Sequence, residues 1–253
     1  MSDATAGRRI LVASNRGPVS FIRGDDGTLT ARRGGGGVVS GLSSVASGAD
    51  LLWVCAALSD ADRAAARQVP GGMLGLDGQP GGSAERMMDI PVGTFNRAYN
   101  TVANSVLWFI HHMLYDTPNR PQFGRAFRRD WAAYRSYNAA FAQALADAVP
   151  PGDTGPGEGT APAAARAVVQ DYHLTLAPRM LAKLRPGLRI AHFSHTPWAP
   201  VDYYRLLPDD VAAEVLDGIL GADHAGFLSQ RWADAFMDCC EHVLGAEVDR
   251  DHQ

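Results

Sequence analysis

Val169-Gln170-Asp171-Tyr172-His173-Leu174 and, further on, His192-Phe193-Ser194-His195-Thr196-Pro197-Trp198 are the stretches whose reading decides the fold. Each begins apolar, runs out into polar residues and is followed by residues at helical spacing. Open α/β sheets present chemistry in this way, with strands carrying side chains to their carboxyl ends, where ligands bind. Asp171 and His195, 24 residues apart, would then stand on neighbouring strands at one sheet edge. Taken singly, each has a plainer reading, Asp171 as a helix cap and His195 as a hydrogen-bonded core histidine.

Outward from these stretches, strand and helix patterns alternate. Residues 167–170 and 188–194 read as strands with a helix over 176–184 between them, and 211–220, 222–228 and 231–244 continue the alternation. Toward the amino terminus, 9–14 is a compact apolar run ending in Asn15-Arg16, which fits a buried parallel strand. A turn-rich, hairpin-like segment follows with its tip at 24–27, then a glycine run over 34–37 that opens a helix from Val38. Residues 51–58 read as a second strand and 61–68 as a short helix with Asp60 placed to cap it. Residues 71–84 read only as loop, and 150–165 as a flexible Pro/Gly/Ala-rich surface insertion. Apolar and aromatic residues share one helical face over 95–114, and a clearer helix over 123–149 carries Phe127, Trp131, Tyr134, Phe141 and Leu145 at core spacing. Alternation of this kind makes a mostly parallel, doubly wound, Rossmann-like α/β sheet over residues 1–253.

Composition narrows the function classes. With 46% hydrophobic residues among 253 the chain can bury a substantial core. Its net charge of -4 and sequence pI near 6.0 give no electrostatic argument for nucleic acid or an anionic membrane. No apolar stretch approaches the roughly 20 residues of a membrane span, and no secretory signal is visible. Cys55 and the adjacent Cys239 and Cys240 form neither a disulfide framework nor metal spacing, so a reducing cytoplasm is the default compartment. The adjacent pair falls in a helical pattern, where burial is expected.

Several pieces could carry chemistry. Backbone N–H groups of the run Gly34-Gly35-Gly36-Gly37 at a helix start suit a phosphate, although neither the dinucleotide fingerprint nor the P-loop pattern is present. Arg16, just past the first strand, could grip a phosphate with both arms of its guanidinium, and an ordinary surface arginine is the alternative. Tyr99, Asn104 and Trp108 share one aromatic-rich segment. In a straight α-helix, nine residues would turn Tyr99 and Trp108 to roughly opposite sides. Both could reach one ligand only if the segment began as a loop, which residues 96–100 permit. His111-His112 is not metal spacing, and neither paired carboxylates nor a Gly-x-Ser-x-Gly element marks a hydrolase.

Ser14-Asn15-Arg16, the glycine run, Tyr99 through Trp108, the Asp171 segment and the His195 segment occur in a characteristic order. In that order the chain, from about Ile10 onward, resembles the N-terminal half of the trehalose-6-phosphate synthases, retaining glycosyltransferases of the GT-B fold. The resemblance implies an acceptor-binding domain for glucose 6-phosphate. Its partner domain would hold most of a nucleoside-diphosphate glucose, UDP- or GDP-glucose. By the same resemblance Arg16 would bind the acceptor phosphate, and Tyr99 and Trp108 would line the acceptor pocket. Asp171 would accept hydrogen bonds from acceptor hydroxyls. Gly36 and Gly37 would meet the donor diphosphate, and His195 the donor glucose. No metal or cofactor is implied, because the leaving phosphate can itself take the proton of the attacking hydroxyl on the same face.

Two departures accompany the resemblance. Where the family has a second tryptophan in a Trp-x-Gly-Trp-like segment, this chain reads Trp53-Val54-Cys55-Ala56, so the acceptor's identity is open. The donor-binding half is also absent from a sequence that stops at Gln253, so this half alone is expected to be inactive. Two other functions fit the same residues: a pseudo-glycosyltransferase joining cyclitol phosphates, and a sugar-phosphate-binding module without turnover. Exposed apolar surface could make the half a homo-oligomer.

Overall fold

A computed structural model describes residues 9–33, 50–75, 83–116, 120–149 and 165–250. The glycine run, with Gly36 and Gly37, and the insertion over 150–164 lie outside the described residues. β1 (Arg9–Ala13) is flanked in parallel by β4 (Asp50–Ala56) on one side and β7 (Ala165–Gln170) on the other. β6 (Ala84–Met88) adds beyond β4, while β8 (Arg189–Ser194) and β9 (His224–Phe227) add beyond β7, all in parallel. β5 (Met73–Gly75) closes the other edge antiparallel to β6, for a strand order of β5-β6-β4-β1-β7-β8-β9. β2 (Val19–Arg23) and β3 (Leu29–Arg33) form a separate hairpin.

The chain therefore winds outward from β1 to β6, returns, and winds outward again from β7 to β9. That order is doubly wound, and its reversal point lies between β1 and β7, where such folds place ligands. Registry fixes the edge: Ala13 faces Val54 and Val169, and Gln170 faces Phe193. The residues that follow these strands emerge together.

Why these strands sit in the middle follows from their residues. Successive side chains alternate between faces, so Leu11, Ala13, Leu52, Val54 and Ala56 join the larger core while Val12, Leu51, Trp53 and Cys55 join a smaller one on the opposite face. A strand apolar on both faces has no solvent side, as parallel sheets require. α1 (Asp60–Gln68) covers the smaller core with Ala66. The larger core is covered by α2 (Val92–Phe95, Asn96–Leu107 and Trp108–His111), α3 (Arg125–Ala148), α4 (Ala177–Leu184), the short α5 (Val201–Tyr204), α6 (Asp209–Ile219) and α7 (Gln230–Cys239). α3, about 36 Å long at helical rise, buries Phe127, Trp131, Tyr134, Phe141 and Leu145 as their spacing predicts. Cys55, Cys239 and Cys240 are free and buried, as expected of the adjacent pair. Among the described residues, no helix is long and apolar enough to cross a membrane.

Four expectations need correction. α1 is capped by Ser59, not Asp60: its hydroxyl accepts the Asp62 N–H while Asp62 accepts the Ser59 N–H, a reciprocal capping box. The stretch read as loop over 71–84 contains β5 and leads into β6. The second strand ends at Ala56 rather than at residue 58. Residues 96–100 are helical, not loop: α2 runs without interruption through Val92–Phe95, a π-helical stretch over Asn96–Leu107, and Trp108–His111. In the π-helical stretch each bond spans five residues, so the spiral is wider and turns less per residue. Nine residues then close about two whole turns rather than the two and a half of an α-helix, and Tyr99 and Trp108 come toward one side.

Candidate active site at the sheet reversal point

Asp171 follows β7 with φ 71 and ψ 173, one of two non-glycine residues with positive φ among those described. That backbone region is essentially glycine's, and an aspartate there stores about 1–3 kcal/mol of strain. Its place is fixed by its own N–H donating to Phe193 O at 2.7 Å and by its carbonyl accepting from Leu174 N at 3.1 Å. The carboxylate accepts the His195 N–H on Oδ1 at 3.1 Å. Burial raises the Asp171 pKa above the usual carboxylate range, against backbone N–H donation from Tyr172 and His195. His195 is further held by Nε2 against Gln170 Oε1 at 2.6 Å. Since that oxygen only accepts, Nε2 supplies the proton of this bond.

α2 meets this loop through Tyr99, and Trp108 stands behind it against a neighbouring histidine. Tyr99 stacks on His173 with centroids 5.3 Å apart, and Trp108 packs on His112 at 4.2 Å. His112 in turn acts electrostatically on Asp171. Between them Asn104 Oδ1 accepts the Tyr172 hydroxyl at 3.0 Å. Arg16, exposed on the turn after β1, lies close enough to His173 to help keep its ring neutral; burial is the larger cause, and together they hold it down to about 3. Tyr99, Asp171 and His195 thus gather around the end of β7, with Arg16 close enough to act on His173 and Trp108 one ring further out, against His112. Gly36 and Gly37 lie outside the described residues. Among the described residues, no three of His, Cys, Asp and Glu gather as they would around a metal ion.

Supporting residues come chiefly from α3: Tyr134, expected only as a core residue, and Tyr137 and Asn138, which the sequence did not single out, occupy one face, three and four residues apart. The Tyr134 hydroxyl donates to Tyr172 O at 2.6 Å, and the Tyr137 hydroxyl to Asn15 Oδ1 at 2.6 Å. Asn138, fully buried, donates to His173 O at 3.3 Å and accepts from Leu176 N at 3.0 Å and Ala177 N at 3.1 Å. It caps α4 from outside that helix, whose own first residue supplies no side-chain cap. Asn138→Leu would leave two buried N–H groups unpaired, each costing about 1–3 kcal/mol. Urea unfolding is expected to show a loss of about 2–5 kcal/mol; a loss under about 0.5 kcal/mol, as for an ordinary surface change, would contradict this capping role.

Comparison with known proteins gives the family and the fold. Over 256 residues, 96% of this chain, the sequence is 32% identical to the UDP-forming alpha,alpha-trehalose-phosphate synthase of Schizosaccharomyces pombe, covering 43% of that protein. It is 30% identical to a trehalose-6-phosphate synthase of Mycolicibacterium vanbaalenii over 97% of this chain and 45% of that one. It is 27% identical to the validamine 7-phosphate valienyltransferase of Streptomyces hygroscopicus, over 97% of this chain and 48% of that one. This chain spans less than half the length of each of these relatives. In fold it is similar to the N-terminal domain of Candida albicans trehalose-6-phosphate phosphatase, with a TM-score of 0.71 at 23% identity over 99% of this chain and 46% of that one. An E. coli protein solved with UDP-2-fluoro glucose gives 0.66 at 22% identity over 93% of this chain and 43% of that one. The pattern that describes glycosyltransferase family 20 matches residues 8–253, and this chain belongs to that family.

Proposed function

We propose that this chain is the acceptor-binding domain of a trehalose-6-phosphate synthase. The reaction is transfer of glucose, with retention, from a nucleoside-diphosphate glucose (UDP- or GDP-glucose) to glucose 6-phosphate. The observation that carries the reading is the gathering of Tyr99, Asp171 and His195 at the sheet's reversal point, with Arg16 following β1 beside them, in a member of this family. Arg16 takes the acceptor phosphate, for which a guanidinium fork is the matched partner. Tyr99 and Trp108 flank the sugar, and Asp171 accepts from its hydroxyls. His195, its ring set by Gln170, meets the donor glucose, and Gly36 and Gly37 offer N–H groups to the donor diphosphate. The leaving phosphate receives the attacking hydroxyl's proton on the same face, so these residues act by positioning and charge stabilisation.

Calorimetric titration tests this. Glucose 6-phosphate is expected to bind, and Arg16→Met to weaken it by about 30- to 150-fold, the worth of one charge-assisted phosphate grip of about 2–3 kcal/mol, while barely altering any affinity for unphosphorylated glucose. Equal binding by the variant would remove Arg16 from the phosphate site.

A second reading is a pseudo-glycosyltransferase, favoured by Ala56 and by the valienyltransferase relative. A cyclitol phosphate that displaces glucose 6-phosphate more tightly than glucose 6-phosphate itself binds would select it.

A further inference from the structure

The turn between β1 and β2 carries Arg16, and buried side chains hold it at both ends. On one side the Ser14 hydroxyl donates to Arg16 O at 2.5 Å and accepts from Trp53 Nε1 at 2.7 Å. On the other side stands Glu85 of β6, fully buried in a face otherwise built from Val12, Leu51, Trp53, Cys55 and Met87. Its Oε2 accepts the Val19 N–H at 3.1 Å and its Oε1 accepts the Cys55 thiol at 2.8 Å. The backbone of Gly17 lies directly on this carboxylate: a Cβ there would sit 2.0 Å from Oε1 and 2.6 Å from the Cys55 sulfur. The hairpin beyond the turn has its own anchor, Asp62 Oδ1, which accepts the Phe21 N–H at 2.6 Å.

A buried carboxylate costs free energy unless it is well hydrogen-bonded, and an apolar residue of similar volume would suit that core better. Glu85 is spent on one structural task, gripping the turn next to Arg16. We propose that Glu85 is a positioning residue of this site: by holding Gly17 and Val19 it fixes the backbone from which Arg16 reaches a sugar phosphate. The inference rests on the acceptor-site reading above. Since Asp62 secures the hairpin independently, loss of Glu85 loosens the turn rather than detaching β2 and β3.

The grip has a pH signature. Burial raises Glu85 to about 7, and the groups acting on it are Cys55 on β4, the Val19 N–H at the start of β2 and Asp62 on α1. A charged acceptor bonds an N–H more strongly than a neutral one, so the Val19 amide should sense the titration.

The test combines two measurements on this chain. Without any ligand, the Val19 amide proton is followed by NMR from pH 5 to 9, in the wild type and in Glu85→Gln. It is expected to shift with a midpoint near 7 in the wild type and to stay flat in the variant. With glucose 6-phosphate, Glu85→Gln, which keeps an acceptor, is expected to bind within about threefold of wild type, and Glu85→Leu about tenfold more weakly. A Val19 amide that does not titrate, or a leucine variant that binds as the wild type does, would overturn the positioning role while leaving the acceptor site intact. A wild-type chain that binds no glucose 6-phosphate would overturn the acceptor-site reading and this inference with it. Should the leucine variant not fold, the ligand-free titration still decides whether Glu85 grips the turn.

Discussion

Asp171→Gly is expected to be more stable than Asp171→Ala by about 1–3 kcal/mol, with both variants losing function. Glycine in place of alanine ordinarily lowers stability, because it gives the unfolded chain more freedom. Here the backbone at φ 71 and ψ 173 is one that alanine adopts only under strain and glycine adopts freely. Both substitutions discard the carboxylate that accepts the His195 N–H, so this loss cancels in the comparison. Strain of this kind persists where the surroundings enforce it, and it is concentrated at functional sites. On the proposed function, two hydrogen bonds from acceptor hydroxyls to a charged oxygen are worth about 3–6 kcal/mol, or roughly 10²- to 10⁴-fold in rate of trehalose 6-phosphate formation. Thermal melts and initial rates of the complete enzyme check the two halves separately. An alanine variant at least as stable as the glycine variant would contradict the strained placement of Asp171.

In acid the chain is expected to lose stability steeply below about pH 6.5, because three histidines are buried neutral. His111, His173 and His192 are each held down to about 3, mainly by burial. Their folded values are depressed below the ordinary 6.5, so the unfolded chain binds more protons between these limits. The stability they contribute is therefore present above pH 6.5 and is lost as pH falls toward 3. Each proton is worth about 1.4 kcal/mol per pH unit, or about 4 kcal/mol per unit for three. Glu85 works the other way between about 7 and its ordinary 4.5, so the net slope there is nearer two protons. Asp171, also raised, opposes the histidines in the same sense. Against a typical stability of about 5–15 kcal/mol, the remaining slope unfolds a chain within a few pH units. Among the described residues, both ring nitrogens of His111 and Nδ1 of His192 lack hydrogen-bond partners. A His111→Phe, His192→Phe double variant is expected to keep its fold at pH 7 and to flatten the slope of unfolding free energy between pH 6.5 and 4.5. An unchanged slope would mean these rings are not buried neutral in solution.

The framework was legible because its central strands are apolar on both faces and end abruptly in polar residues. That is why the strands carrying Asp171 and His195, the helix with Phe127 and Trp131, and the hairpin tipped by Asp25 and Asp26 all agree with their sequence patterns. β6 was hidden because Glu85 and Arg86 break its apolar pattern, one buried on Cys55 and the other donating to Ala144 O at 3.1 Å. The π-helical stretch was hidden because a change of hydrogen-bond step leaves the residue types of an ordinary amphipathic helix untouched. It is also what turns Tyr99 and Trp108 toward one side of α2 without the irregular start their spacing first suggested. Nothing in the sequence marks Asn138 off from the other polar positions of α3; its role emerges only where α4 starts beside it.

The central claim is that an acceptor sugar phosphate binds between β1 and β7 with its phosphate on Arg16 and its hydroxyls on Asp171. A crystal structure of this chain grown with glucose 6-phosphate tests it most directly. The account predicts the phosphate within hydrogen-bonding distance of the Arg16 guanidinium, and the ring between Tyr99 and Trp108 with hydroxyls on the Asp171 carboxylate. The sugar phosphate bound elsewhere on the chain, with this edge of the sheet left empty, would contradict it.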